Sequence, residues 1–215
     1  MFGMPKCYGA RPLVALLLIA GFVLAFGQTA DAQGRGRRGP RTAVRGQIVA
    51  FDGNQLILKT PSGETVIAVS ERTRVGSLTR VKFADIKKGD FIASAGIRQP
   101  DGTLRAIEVR IFPEQLRGRG EGHRPFRGGP NSTMTNATVD AIVGSVAGRT
   151  VKVKYPGGEK TIVVPEDVLV MRQDVGDKSL LKPGAHVSVV ARKTPNGGLT
   201  AVRIKVGKDG LVPPT

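Results

Sequence analysis

The sequence predicts an all-β protein that contains two copies of one small, five-stranded domain. Two observations support this prediction. Residues 53–71 and 148–166 align without a gap at an offset of 95 residues. Short segments rich in Val and Ile are also separated by Gly, Pro and Asn residues, which is the pattern of strands joined by tight turns. Two distant copies indicate a tandem duplication, because a solenoid needs three or more stacked units.

The repeat extends well beyond the aligned segments. The 95-residue offset also relates Lys87 and Gly89 to Lys182 and Gly184. Chance rarely preserves a single offset over such a length of chain. We therefore place the two domains at residues 42–112 and 137–207. The identical pairs between the aligned segments begin at Gly53/Gly148 and include Lys59/Lys154, Pro61/Pro156, Gly63/Gly158, Glu64/Glu159, Ile67/Ile162, Val69/Val164 and Glu71/Glu166.

Each copy should form five short strands. In the first copy, the predicted strands are Val44–Phe51, Leu56–Thr60, Thr65–Val69, Phe91–Ile97 and Leu104–Ile111. The turn signals between them are Asp52-Gly53, Pro61-Ser62-Gly63 and Pro100-Asp101-Gly102. Residues 83–88 should form a short helix or a turn between the third and fourth strands. This order matches a small OB-like barrel, which would protect the sheet edges; a plain five-stranded meander or half of a sandwich is the alternative.

The N-terminal 32 residues have the pattern of a secretory signal peptide. Lys6 and Arg11 precede an apolar run from Leu13 to Phe26, and Ala30 and Ala32 form an A-x-A site. The apolar run is shorter than the roughly 20 residues that span a bilayer as a helix. We expect cleavage after Ala32, export to the periplasm or the medium, and no transmembrane segment afterwards; an uncleaved membrane anchor is the alternative.

The charge of the mature chain points to anionic partners. Removing residues 1–32 takes two basic and one acidic side chain from totals of 33 and 17, which leaves a net charge of +15. Such a balance favours polyanions such as nucleic acid, anionic lipid or acidic polysaccharide. Cys7 is the only cysteine in the sequence and lies in the signal segment, so the mature chain has no disulfide, thiol nucleophile or cysteine metal ligand.

Three segments lie outside the repeats, and the first two should be flexible. Residues 33–41 form a basic tail, residues 113–136 form a linker rich in Gly, Pro and Arg, and residues 208–215 form the C-terminal tail. The first two offer little apolar surface to offset the entropy of ordering. Arg-Gly runs can also bind nucleic acid through phosphate contacts and stacking. Because export separates the protein from most nucleic acid, an anionic envelope polymer is the expected target if these segments bind anything.

Three short patterns resemble those of a known protein family. They are V-x-G-x-I-V-x-x-D-G-N-x-L-x-L-K-T at Val44–Thr60, K-x-G-D-F at Lys87–Phe91, and Q-P-D-G-T-L-x-A-x-x-V at Gln99–Val109. The chain resembles an uncharacterised family of exported bacterial proteins with duplicated OB-like domains. The second copy departs from the pattern, with Ala141 at the position aligned with Gly46. The resemblance implies a periplasmic location and a β-barrel, and it carries no activity or catalytic residues.

A basic stripe could provide a binding surface. Lys152 and Lys154 alternate with apolar residues in one predicted strand, as do Arg203 and Lys205 in another. A period of two places each pair on one outward face, and neighbouring strands could merge the pairs; ordinary solvation of the strands is the alternative. Together with the arginines of the tail and linker, the candidate polyanion-binding residues are Arg35, Arg37, Arg38, Arg41, Arg117, Arg119, Arg124, Arg127, Lys152, Lys154, Arg203 and Lys205.

Catalytic and metal sites are not indicated. His123 and His186, the only histidines in the sequence, are far apart, and His186 aligns with Phe91, which favours packing or surface roles over metal ligation. The duplicated carboxylates Glu64/Glu159 and Glu71/Glu166 fall at turns and strand ends, where solubility explains them. No hydroxyl group has a convincing base nearby in the pattern. We therefore expect neither an enzyme nor a cofactor.

The expected function is that of an exported, non-enzymatic binding or envelope-interaction protein. Its partner would be a protein or an anionic polymer of the envelope. A polyanion or nucleic-acid binder that uses the Arg-Gly segments and the lysine-rich β face is the second hypothesis, and an enzyme is a residual third. The sequence leaves the oligomeric state and the identity of the ligand open.

Overall fold

The computed structural model describes residues 40–126, 129–145 and 148–214. The predicted signal peptide and residues 33–39 of the predicted basic tail lie outside this part of the chain. Within it, no helix is long and apolar enough to cross a membrane. The regular structure consists of thirteen β-strands and three short 3₁₀ turns, so the all-β prediction is confirmed.

The strands run through both repeats. The strands of the first repeat are β1 (Arg41–Phe51), β2 (Gln55–Thr60), β3 (Gly63–Ala68), β4 (Arg74–Arg80), β5 (Phe91–Arg98) and β6 (Leu104–Ile111). A short strand, β7 (Gly122–Pro125), follows. The remaining strands are β8 (Ser132–Ser145), β9 (Gly148–Tyr155), β10 (Gly158–Val164), β11 (Leu169–Gly176), β12 (His186–Lys193) and β13 (Leu199–Gly207). The 3₁₀ turns are Phe83–Asp85, Glu114–Leu116 and Lys178–Leu180.

The local predictions for the first repeat agree closely with these elements. All five predicted strands are present, and Phe83–Asp85 forms the expected short helical turn. Gly53, Gly63 and Gly102 have positive φ angles, which the three predicted turns require and which glycine adopts without steric cost. The prediction of five strands per copy is one short, because β4 and its counterpart β11 form a sixth.

The strands pair in two circuits, and each circuit draws on both repeats. In the first circuit, β1 pairs with β2, β2 with β3, β3 with β13, β13 with β12, and β12 with β1 again. In the second circuit, β8 pairs with β9, β9 with β10, β10 with β6, β6 with β5, and β5 with β8. Each circuit thus takes three strands from the start of one repeat and two from the end of the other.

The hydrophobic cores follow the circuits rather than the repeats. In the first core, Ile48, Leu56 and Leu58 pack with Val189 and Ile204, which lie some 140 residues later in the sequence. In the second core, the first repeat contributes Ile92, Leu104 and Val109, and the second repeat contributes Val151 and Ile162. The expectation that residues 42–112 and 137–207 each enclose a core of their own therefore needs correction. The repeats are sequence units whose halves are exchanged in space.

The two circuits meet at strands β4 and β11. β4 pairs in parallel with β13, β11 pairs in parallel with β6, and the two strands pair with each other in antiparallel orientation. Leu78 lies opposite Gln173, its own equivalent at the 95-residue offset. An antiparallel pair of equivalent strands with equivalent residues face to face has local two-fold symmetry. The duplication therefore builds a pseudo-symmetric molecule around this seam.

The first strand of each repeat has a different offset from the rest. Gly184 donates a backbone hydrogen bond to Ile48, and Gly89 donates the equivalent bond to Val139, so Ile48 corresponds to Val139 at an offset of 91. On this basis Ala137, and not Ala141, corresponds to Gly46; the alignment in the sequence analysis was wrong at this position. The hairpin between β8 and β9 contains four more residues than its counterpart, which explains the change of offset.

The predicted linker at residues 113–136 contains regular structure. Glu114–Leu116 forms a 3₁₀ turn, β7 pairs with β8, and β8 begins at Ser132. The Asn136 side-chain amide also donates to the Arg119 carbonyl at 2.8 Å. The segment was predicted to be a flexible linker, but its described residues form ordered elements, because backbone pairing with β8 compensates for the low apolar content of the segment.

Candidate cationic cleft

A cavity of about 410 Å³ lies between the two circuits, close to the β4–β11 seam. We call it the central cleft. Its volume falls within the range of roughly 300–1,000 Å³ that is usual for small-molecule sites. The lining residues come from β1, β12 and β13 of the first circuit, from β5, β6 and β8 of the second, from β11, and from the segment before β8. Its charged residues are Glu108, Arg110, Arg119, Arg124, Arg203 and Lys205.

A β-bulge on β6 directs two of these charges into the cleft. Gly96 lies opposite Ala106 and Ala95 opposite Glu108, so Ile107 is an extra residue in β6. Before the bulge Leu104 and Ala106 face the second core, whereas after it Val109 and Ile111 do. The bulge thus reverses the alternation of the strand and turns Glu108 and Arg110 away from the core.

The equivalent bulge lies on β13. Val190 lies opposite Arg203 and Ala191 opposite Ala201, which leaves Val202 as the extra residue. Ile204 and Val206 then face the first core, and Arg203 and Lys205 face the cleft. Because β13 packs against β4 rather than bordering solvent, both cationic side chains are partly buried.

Glu108 and Arg110 form a buried ion pair. The Arg110 Nη2 atom donates to Glu108 Oε1 at 2.9 Å, and the two residues are only 6% and 7% exposed. Burial lowers the pKa of Arg110, while the nearby Glu108 carboxylate acts in the opposite direction. The Arg110 Nε–H is buried without a hydrogen-bond partner. A charged donor that is buried and incompletely satisfied is costly, and an anion in the cleft would complete its hydrogen bonding.

Arg203 adds a positive charge, and neither Arg203 nor Lys205 has a carboxylate partner at ion-pair distance within the described part of the chain. Burial lowers the pKa of Lys205 to about 6, and repulsion from Arg110 and Arg203 adds to this effect against the opposing influence of Glu108. The pKa of Arg203 is also lowered, first by burial and then by the neighbouring arginines. The cleft is therefore strongly electropositive and short of negative charge.

The segment before β8 covers one side of the cleft. Arg119, Gly120, Arg124 and Phe126 all line the cavity. Arg124 Nη1 donates to the Gly120 carbonyl at 2.6 Å, which folds this part of the chain back on itself. The arginines of the predicted linker thus form part of a defined site rather than a solvated connection.

The structure brings four of the predicted polyanion-binding residues together in the cleft: Arg119, Arg124, Arg203 and Lys205. Arg41 is exposed at the start of β1, opposite Arg192 of β12. Arg117 is exposed and pairs with Glu114 at 2.5 Å. The candidates Arg35, Arg37, Arg38 and Arg127 lie outside the described residues.

The predicted merger of the two lysine pairs into one stripe does not occur. Lys152 and Lys154 lie on β9, and five strands separate β9 from β13 in the order of the sheet. Lys154 also pairs with Asp140 at 3.1 Å. The prediction failed because the exchange of halves between the repeats places these strands in different circuits, which no local pattern indicates.

The other singled-out side chains have local roles. His123 Nδ1 lies 2.9 Å from Thr135 Oγ1, and its ring stacks on Tyr155 with the centroids 6.4 Å apart. Glu71 pairs with Lys178 at 2.5 Å, and Glu64 is exposed beside a turn. No group of three or more potential metal ligands occurs among the described residues.

Sequence reasoning missed Glu108, Arg110 and Gln173, which also line the cleft. In the sequence, Leu104–Ile111 reads as one regular strand in which charged residues are spaced among apolar ones. The available signal was the two charged residues Glu108 and Arg110, which alternate with Ile107, Val109 and Ile111 near the end of the strand. The sequence shows neither the bulge nor the neighbouring strand β11, and without them such a pattern indicates an exposed face of the strand.

Comparisons with known proteins are consistent with a duplicated domain in an all-β chain. A family model described as a domain of unknown function, DUF5666, matches residues 45–110 and again residues 138–205. These matches cover more than half of the chain and agree with the repeat bounds predicted from the sequence. The chain therefore belongs to the DUF5666 family. No curated protein and no solved structure gave a match.

Proposed function

We propose that this chain is an exported, non-enzymatic binding protein and that it holds an anionic ligand in the central cleft. The observation that carries this proposal is the buried Arg110 side chain, with its unpartnered Nε–H beside Arg203 and Lys205. Folding removes the charged Arg110 and Arg203 side chains from water, which is unfavourable unless anions or hydrogen-bond acceptors compensate. Sites at which several charged groups are buried at an unfavourable free energy are commonly functional sites.

The proposal includes the finer features expected from the sequence. Each circuit of five paired strands would be a small OB-like barrel, and the signal-like N-terminus would deliver the protein to the periplasm. The barrel fold and the periplasmic location both support a ligand that comes from the cell envelope. The net charge of +15 after signal removal would attract anions from a distance, while the cleft would supply the specific contacts.

A site for an anion agrees with the chemistry of the lining. Arg110 and Arg203 carry planar guanidinium groups, which form paired hydrogen bonds with phosphate, sulfate and carboxylate oxygens. Glu108 already occupies one Nη atom of Arg110, which fixes the direction of the side chain. The lining places several arginine side chains around one cavity, and this arrangement supports the binding of an anion.

Calorimetric titration of the mature protein with inorganic phosphate, at low and at raised salt, tests this proposal. We expect saturable binding at low salt, and we expect Arg110→Gln to weaken it at least about tenfold, since a hydrogen bond to a charged group contributes about 1.5–3 kcal/mol. Arg105→Gln is the matched control, because Arg105 lies on the same strand but is exposed. Equal binding by wild type, Arg110→Gln and Arg105→Gln would overturn the proposal, as would no phosphate binding at all.

A further inference from the structure

The central cleft has an apolar wall as well as cations. Phe112 and Phe126 line the same cavity as Arg110 and Arg203, and Met134 and Val190 extend this surface. A site for a free inorganic ion needs no such wall. A mixed lining of this kind is usual where a ligand combines one charged group with an apolar body.

Both phenylalanines are held in place by the surrounding structure. The Phe112 ring stacks on buried Phe91, with the ring centroids 5.6 Å apart and an angle of 30° between the planes. The backbone N–H of Phe126 donates to the Ser132 carbonyl at 2.9 Å, and the Ser132 hydroxyl donates to the Phe126 carbonyl at 2.8 Å. Both residues are partly buried and both line the cavity. Anchored aromatic rings of this kind serve as stacking surfaces at little entropic cost.

The charges of the cleft match a terminal dianionic group better than a passing polymer. Arg110 and Glu108 are almost completely buried, so only a group that enters the cleft can reach them. The exposed Lys154, on which a polymer could lie, is instead paired with Asp140. The arginines Arg110, Arg119, Arg124 and Arg203 line the cavity with a single carboxylate, Glu108, among them. A phosphate monoester carries about −1.5 to −2 charges at neutral pH, which complements this excess.

We propose that the ligand of the central cleft is a phosphate monoester of a flat ring, with the phosphate on Arg110 and Arg203 and the ring against Phe112 and Phe126. This inference rests on the proposed function, because it specifies the ligand of the same site. The volume of about 410 Å³ accommodates a ring as well as a phosphate group. An aryl group and a nucleobase both supply such a flat ring.

The test compares three probes by calorimetric titration: inorganic phosphate, methyl phosphate and phenyl phosphate. Methyl phosphate has the ester without the ring, so its difference from phenyl phosphate isolates the contribution of the ring. We expect phenyl phosphate to bind about tenfold more tightly than methyl phosphate, in line with the stacking contributions of aromatic side chains in other sites.

Two variants separate the two parts of the site. Phe126→Ala should remove most of the advantage of phenyl phosphate over methyl phosphate, and circular dichroism of the variant checks that it is folded. Arg110→Gln should weaken all three probes. If Phe126→Ala loses inorganic phosphate as well, Phe112→Leu repeats the comparison with less change in volume.

The outcomes are distinguishable. Equal affinity for phenyl and methyl phosphate would overturn the inference about the ring and leave the proposed anion site standing. Absence of binding by all three probes would overturn both. Adenosine monophosphate then tests a nucleobase as the flat ring, and tighter binding of adenosine monophosphate than of methyl phosphate supports the inference.

Discussion

Leu78 of β4 lies directly opposite Gln173 of β11, and the two residues occupy the same position in the two repeats. This pair marks the local two-fold relation of the molecule. Leu78 is fully buried, and Gln173 is 8% exposed and lines the central cleft. The same face of the seam therefore supplies core packing through Leu78 and a polar wall of the candidate site through Gln173.

The exchange of strands predicts that a single repeat cannot fold as a monomer. Residues 40–126 contain β1 to β3 without β12 and β13, and β5 and β6 without β8 to β10, so neither core is complete. We expect this fragment either to be unfolded or to form a homodimer in which the halves exchange. Light scattering and circular dichroism of the fragment provide the measurement.

Co-expression supplies the positive control for this prediction. Residues 40–126 and 129–214, produced as separate chains, should associate into a complex with one copy of each, because each completes the circuits of the other. A folded, monomeric fragment of residues 40–126 would contradict the exchanged arrangement.

A close backbone approach makes Gly76 sensitive to substitution. A Cβ atom at Gly76 would lie 2.6 Å from the Asp174 carbonyl oxygen across the β4–β11 seam. We expect Gly76→Ala to lower the free energy of unfolding by about 1–3 kcal/mol, because the two backbones must separate. Urea denaturation measures this change. Gly144→Ala is the matched control, since nothing lies within 4 Å of the added Cβ and its effect should be near zero.

The lowered pKa of Lys205 predicts a pH-dependent stability. Between pH 6 and 10.5 the unfolded chain binds a proton at Lys205 that the folded protein lacks, so the free energy of unfolding rises with pH across this window. Below about pH 6 both states are protonated and the cost of the buried charge is fully present. Lys205→Met should flatten the rise and stabilise the protein at pH 6 by roughly 1–3 kcal/mol.

Urea denaturation at pH 5.5 and 8.5, in a buffer without multivalent anions, checks this expectation. Lys152→Met is the control, because Lys152 is exposed on β9 and should leave the pH profile unchanged. A Lys205→Met variant with the same slope as wild type would show that Lys205 keeps an ordinary pKa in the folded protein.

Loss of the Glu108 carboxylate should have opposite effects on stability and anion affinity. Glu108→Gln leaves Arg110 without its ion pair, so we expect the free energy of unfolding to fall by about 3 kcal/mol in the absence of anions. The net charge of the cleft rises by one, so phosphate affinity should increase roughly three- to tenfold. Titration with phosphate and urea denaturation in its presence and absence measure both effects. Glu64→Gln, at an exposed turn, should change neither quantity.

The sequence was sufficient for the local structure and insufficient for the arrangement of the strands. Turn residues such as Gly53 and Gly102 and the β-branched runs determine each strand by contacts within a few residues. β4 was missed because Gly76 and Ser77 weaken its strand pattern, and its pairing with β11 supplies the stabilisation. Partners such as Leu58 and Ile204 lie too far apart in the chain for a periodicity to relate them.

Only some residues of the candidate site could be predicted from the sequence, for a related reason. Arg203 and Lys205 stood out as an alternating basic pair, whereas Arg110 was hidden in an apolar strand. Whether such a side chain faces solvent or a closed cleft depends on the bulges and on what packs outside the strand. Arg119 and Arg124 were recognised from composition alone, and their place in the cleft follows from the pairing of β7 with β8.

Because the two copies are joined in one chain, equivalent positions on the two sides of the cleft can carry different residues. Glu108 and Arg203 occupy equivalent positions, as do Arg110 and Lys205. A homodimer of either repeat would have to place the same residue on both sides of its axis, giving two carboxylates or two further cations. In the covalently linked pair each side diverges independently, so a cleft on a pseudo-two-fold seam can recognise a ligand that has a distinct head and tail.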